Sequence, residues 1–158
     1  MKRVLLGVGN RLSRDDGVGP EVASRLQDAR NWISVDCGPA LENASGLVVR
    51  ESPDLLVVVD AARMGLAPGS IRRVPLPARD RMLASTHGLP ISFVWERIAL
   101  AVGRTVLIGI EPGDLSFGEG LSPAVAAAAD ALVSRLRAGD VDSIPECPSA
   151  GPASIAAP

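Results

Sequence analysis

Four acidic positions in this chain each close a short apolar run. Asp16, with Asp15 beside it, follows Val4–Val8; Asp36 follows Trp32–Val35; Asp60 follows Leu55–Val59; Glu111 follows Thr105–Ile110. A lone buried carboxylate is costly unless it is bonded, paired or metal-bound. A repeated strand-then-acid pattern therefore points to one acidic cleft at the carboxyl ends of a sheet, where open α/β folds carry their sites. The single histidine, His87, supplies an imidazole. Asp16, Asp60 and His87 together could hold a divalent first-row metal with coordination positions left open. The same three could do acid–base chemistry with no metal at all. Asp36 and Glu111 are secondary in this reading, with Asp36 bonding the Gly7–Asn10 loop or rimming the cleft.

Asp15 and Asp16 precede a helix, and an aspartate there can cap it and oppose its dipole. Two adjacent side chains cannot both point into one helix start, so one caps and the other is free to face the cleft. Gly7-Val-Gly9 after a strand suggests a dinucleotide loop, but the third glycine of that fingerprint is replaced by Leu12. The glycines are read instead as allowing a tight backbone turn, and no nucleotide is expected. No Gly-x-Ser-x-Gly elbow is present. A Cys37–His87 nucleophile pair is a weaker alternative.

These residues need a frame. Continuous aliphatic runs are the mark of strands covered on both faces, and they alternate here with helical spacing. Val18, Val22 and Leu26 mark a first helix opened by Gly17–Pro20, and Phe93, Val94, Ile98 and Ala101 mark another over 89–101. The last helix has Ser122 as N-cap, Pro123 at its first position and Gly139 just past its end. Residues 45–50 fit a helical turn or a short strand equally. Strands near 3–9, 32–36, 54–60 and 104–110 are expected at the centre of the sheet. The proline-flanked segment 70–75 is expected at an edge, antiparallel. The result is a three-layer α/β/α sandwich around a twisted, mostly parallel mixed sheet.

Length fits one domain, 1–139, followed by a Pro-, Ser- and Ala-rich stretch, 140–158, expected to be a flexible tail. A net charge of −2 gives no basic face for nucleic acid. No apolar run approaches the ~20 residues of a membrane span. Two cysteines make no disulfide framework and no metal motif. Met1–Leu6 runs straight into the Gly-Asn-Arg loop, with no signal-peptide core. A cytoplasmic protein is expected.

The pattern Gly-x-Gly-Asn-x-Leu-x-x-Asp-Asp-Gly-x-Gly-Pro (7–20), then Val-Asp60-Ala, Thr-His87-Gly-Leu-Pro and Gly-Ile-Glu111-Pro, resembles the hydrogenase maturation endopeptidases. The likeness runs in order from about residue 3 to 137. Ala-Leu-Glu42-Asn43, Thr-His-x-x-Pro and Asp rather than Glu at the first site position resemble the hydrogenase 3-type branch. The resemblance implies a phosphorylase/hydrolase-like sandwich. It also implies removal of a C-terminal extension from the precursor of a [NiFe] hydrogenase large subunit. In that reading Asp16, Asp60 and His87 recognise nickel carried by the substrate and are essential to catalysis, by a metal-assisted or an aspartic-type route. A non-catalytic nickel- or ligand-binding chaperone module for the same client is the alternative.

Overall fold

A computed structural model of the chain describes residues 1–75 and 91–148 and the backbone of 154–155, with side chains over 91–94 left undescribed. In chain order the elements are β1 (Arg3–Gly7), α1 (Val18–Arg25), β2 (Ile33–Asp36), α2 (Ser45–Glu51), β3 (Leu55–Arg63), β4 (Ile71–Val74), α3 (Ile91–Ala101), β5 (Arg104–Ile110), α4 (Pro123–Arg137) and β6 (Ser154–Ile155). The sheet runs β2-β1-β3-β5-β4, with β6 paired to the end of β3. Contacts of β1 with β2, β1 with β3, and β3 with β5 are parallel; β4 is antiparallel to β5 at an edge, as its prolines imply.

Alternation along the strands divides the core into two layers. Leu5, Val57, Val59 and Ile108 face α1 and α4, packing with Val22, Leu26, Leu132 and Leu136. Val4, Leu6, Leu56, Val58 and Leu107 face the other way, packing with Val48 of α2 and Ile98 of α3. The molecule is thus an α/β/α sandwich, and its central strands carry continuous aliphatic runs because both of their faces are covered. No helix among the described residues is long and apolar enough to cross a membrane.

The chain crosses from β1 through α1 to β2 on one side, then returns through α2 to β3 on the other side of β1. The order therefore reverses between β1 and β3, and that switch point opens a crevice at the carboxyl ends of the two strands. Register brings those ends level: Gly7 is opposite both Asp36 and Val59, and Asp60 is opposite Gly109.

Three expectations need correction. The strand at 32–36 is not central: β2 pairs with β1 alone, because the next crossover carries the chain past β1 and leaves β2 one neighbour. The stretch after Gly139 is not a loose tail over 140–148. Val141 and Ile144 are buried in the α1–α4 layer, and Arg73 and Cys147 exchange backbone bonds with this segment and β4. Two apolar anchors outweigh a polar, proline-rich composition. Finally, Ser122 occupies the N-cap position of α4, but its hydroxyl makes no cap bond and serves Asp15 instead. The undecided segment 45–50 is helical.

Candidate active site

Asp16 lies on the turn between β1 and α1, in a 3₁₀ segment spanning Arg14–Gly17. Glycines let this turn come down onto the strand ends. A Cβ on Gly9, whose φ is +148°, would sit 1.8 Å from the Asp16 carbonyl oxygen. A Cβ on Gly19 would sit 2.3 Å from the Val59 carbonyl oxygen, so α1 starts in direct contact with the end of β3. The Gly-x-Gly pattern thus serves close approach rather than phosphate binding.

The strand-end acids separate by how well they are bonded. Asp15, fully buried, accepts from the backbone N–H groups of Gly113, Asp114 and Ser122 and from the Ser122 hydroxyl, at 2.7–2.8 Å. It pins the loop between β5 and α4. Glu111 accepts from the Met64 N–H at 2.6 Å, and its own backbone bonds Gly69 and Ser70, so it ties β5 to the turn after β3. Asp36, at the edge, accepts from Gly38 N–H at 2.8 Å and meets the Arg11 guanidinium at 3.4 Å. It does not bond the Gly7–Asn10 backbone; the contact runs through the next residue, Arg11.

Asp16 and Asp60 differ from these three. Asp16 accepts one bond, from Asn10 N–H at 2.8 Å. The remaining oxygen of Asp16 and the Oδ1 of Asp60 are buried with no hydrogen-bond partner among the described residues. Both residues are buried, at 1% and 5% exposure, where the sequence placed them in an open cleft. Burial pushes both carboxyls above their ordinary range. Asp60 is raised most, first by desolvation and then by the Asp16 charge, against a smaller opposing pull from the Ala61 N–H. Asp16 is raised by desolvation, with the Asn10 bond opposing it. The charge of Asp16 is felt at Asp60, which links the two carboxyls electrostatically.

His87, the third candidate, lies outside the described residues. Among those residues no three of His, Cys, Asp and Glu group closely enough to hold a metal ion. Cys37 is buried, and its thiol is pushed up to about 12 by desolvation and by the charges of Asp36 and Glu42. It stays protonated near neutral pH and is a poor nucleophile.

Two contributors escaped sequence reasoning. Asn10 donates its backbone N–H to Asp16 and uses its side chain to hold the Leu12 N–H at 2.9 Å. Arg11 spans Glu21 at 2.9 Å, Ser24 at 2.8 Å and Asp36. Their position between the first strand and the paired aspartates was the available signal. Because Arg11 keeps Glu21 and Ser24 without Asp36, and exposed ion pairs contribute only about 0–1 kcal/mol, Asp36→Ala is expected to slow precursor processing less than Asp60→Ala. A processing assay in which Asp36→Ala is the more damaged variant would make Asp36 a principal residue.

Fold and site together define an α/β sandwich with two buried aspartates, Asp16 and Asp60, at its switch point. Residues 18–138 match the HycI hydrogenase maturation protease family. The hydrogenase 3 maturation protease of Escherichia coli (strain K12) is 32% identical over 139 residues, covering 86% of this chain and 89% of that one. The solution structure of the endopeptidase HycI from Escherichia coli superposes with a TM-score of 0.79 at 28% identity, over 96% of this chain and all of that one. The crystal structure of a [NiFe] hydrogenase maturation protease HycI from Thermococcus kodakarensis KOD1 gives 0.76 at 31% identity, over 88% and 92%. This chain belongs to the hydrogenase maturation protease family and is a hydrolase.

Proposed function

We propose that this protein removes the C-terminal extension from the precursor of a [NiFe] hydrogenase large subunit and reads the precursor's nickel through Asp16, Asp60 and His87. The observation that supports this most is the pair of oxygens on Asp16 and Asp60 that are buried with no partner among the described residues. A buried polar atom left without a partner costs about 1–3 kcal/mol. Two of them, both near the switch point, fit a site built to receive something. Divalent nickel accepts oxygen and nitrogen donors and binds such sets more tightly than manganese or iron. It arrives with the substrate and needs no resident metal centre.

The pair also suits peptide hydrolysis of an aspartic type. Burial raises both carboxyls, Asp60 the more strongly, which suits a pair in which one member is protonated and the other ionised. The ionised member takes a proton from attacking water, and the protonated one donates to the leaving amide nitrogen. Nickel presented by the substrate polarises the same carbonyl. The two unpaired cysteines, Cys37 and Cys147, suit a reducing compartment such as the cytoplasm.

The direct test is incubation with nickel-loaded and with nickel-free precursor. Loss of the extension is expected from the loaded form alone, and is expected to disappear with His87→Ala. A chelator added to the free protein should leave its melting temperature unchanged. Efficient cleavage of folded, nickel-free precursor would show that the carboxylates cut without reading the metal.

A further inference from the structure

We infer that the end of β3 at Ala62 and Arg63 is a docking edge for an extended peptide, the segment of the substrate leading into its cleaved C-terminal extension. In the structure this chain's own Ser154–Ile155 holds that place. The inference rests on the endopeptidase reading above and concerns how its substrate is presented.

β1 pairs with β3 as far as Val59 and β5 as far as Ala61, yet β3 runs on to Arg63. Ala62 and Arg63 therefore present backbone groups beyond both neighbouring strands, and an unpaired strand end is a template for an added strand. Ser154–Ile155 uses it: the pairing is antiparallel, with Ala62 opposite Ile155 and Arg63 opposite Ser154. The sequence around the occupying pair, 149–158, is Ser-Ala-Gly-Pro-Ala-Ser-Ile-Ala-Ala-Pro and carries no charged side chain. Recognition of such a segment falls to the backbone, which any extended peptide supplies.

Direction and register fit the reaction. An antiparallel strand entering at Arg63 runs in the direction of Asp60, which lies two residues before Ala62 on the same strand. Residues upstream of a cut would pair with Ala62 and Arg63, and the extension to be removed would begin at the carboxyl pair. The chain's own segment is then an intramolecular competitor for the substrate.

The test uses the full chain carrying Ser154→Pro and Ile155→Pro, since proline removes the N–H that a strand partner needs. The probe is a fluorescent synthetic peptide with the sequence of residues 149–158, followed by anisotropy. The tethered segment competes at an effective concentration on the order of millimolar, so the double-proline chain is expected to bind the probe roughly tenfold more tightly than the unaltered chain. Adding Arg63→Pro is expected to cancel that gain. Amide exchange at Ala62 and Arg63 should be faster in the double-proline chain and slow again when the probe is added, while Val57 and Val59 stay protected and report an intact sheet. Equal probe binding by the two chains, binding that survives Arg63→Pro, or unchanged exchange at Ala62 and Arg63 would each overturn the docking edge. Probe binding as expected, with no cleavage of nickel-loaded precursor, supports the edge and removes the endopeptidase reading instead.

Discussion

Asp60→Asn is expected to cut processing of nickel-loaded precursor by about 10²–10⁴-fold, the usual share of a positioned acid–base group, and to raise the melting temperature at neutral pH. The opposite signs come from one cause. Asp60 is buried with an unbonded oxygen, and desolvation together with the Asp16 charge holds its carboxyl well above the ordinary range. An unfolded chain releases this proton near the ordinary value, while the folded protein keeps it. Between those two points the folded state binds more protons, so stability falls as pH rises through the window. Asparagine is neutral at every pH and removes that loss. The gain is expected to be about 1–3 kcal/mol, or roughly 2–4 °C per kcal/mol at this size. It should be widest above neutrality and close below about pH 4, where the unfolded carboxyl is itself protonated. Melting curves of both proteins across pH check this. A variant less stable than the parent at pH 8 would mean that Asp60 is held by a stabilising bond, and the raised pKa would be wrong.

The largest loss of stability is expected one residue away from the pair. Asp15→Ala strands the Gly113, Asp114 and Ser122 N–H groups and the Ser122 hydroxyl, all now bonded to a single fully buried carboxylate. Bonds to a charged acceptor contribute about 1.5–3 kcal/mol each and do not add fully. A total of about 3–5 kcal/mol is a large part of the ~5–15 kcal/mol that holds a domain together, and lowers the melting temperature by roughly 10 °C. Asp15→Asn should do little better, since its amide NH₂ turns donors toward donors. Thermal melting, with amide exchange at Gly113 and Asp114, measures it. A loss within about 1 kcal/mol would show that the loop is held by other contacts. On the expected result, Asp15 and Asp16, identical and adjacent, separate into a variant that loses the fold and one that loses the reaction.

The frame was legible in the chain because strand burial writes itself into local composition. Val4–Leu6, Leu55–Val59 and Val106–Ile110 are aliphatic without alternation, as strands covered on both faces must be. Helix α4 was legible from Pro123 and Gly139, whose backbone preferences act within a few residues. The strand-then-acid pattern marked Asp60, and the glycines around the first turn marked a close approach. Which acid is bonded and which is free could not be read locally. Asp15 is satisfied by groups 98 to 107 positions later. Glu111 and Asp60 share the same local signature, yet the Met64 N–H, 47 positions back from Glu111, occupies one and no donor among the described residues reaches the Oδ1 of the other. The edge place of β2 likewise follows from a crossover that its own residues do not encode, and Val141 and Ile144 are core because of what lies beneath them. Local sequence sets backbone preference and face. Satisfaction of a buried charge depends on distant donors, and only the folded chain brings those into place.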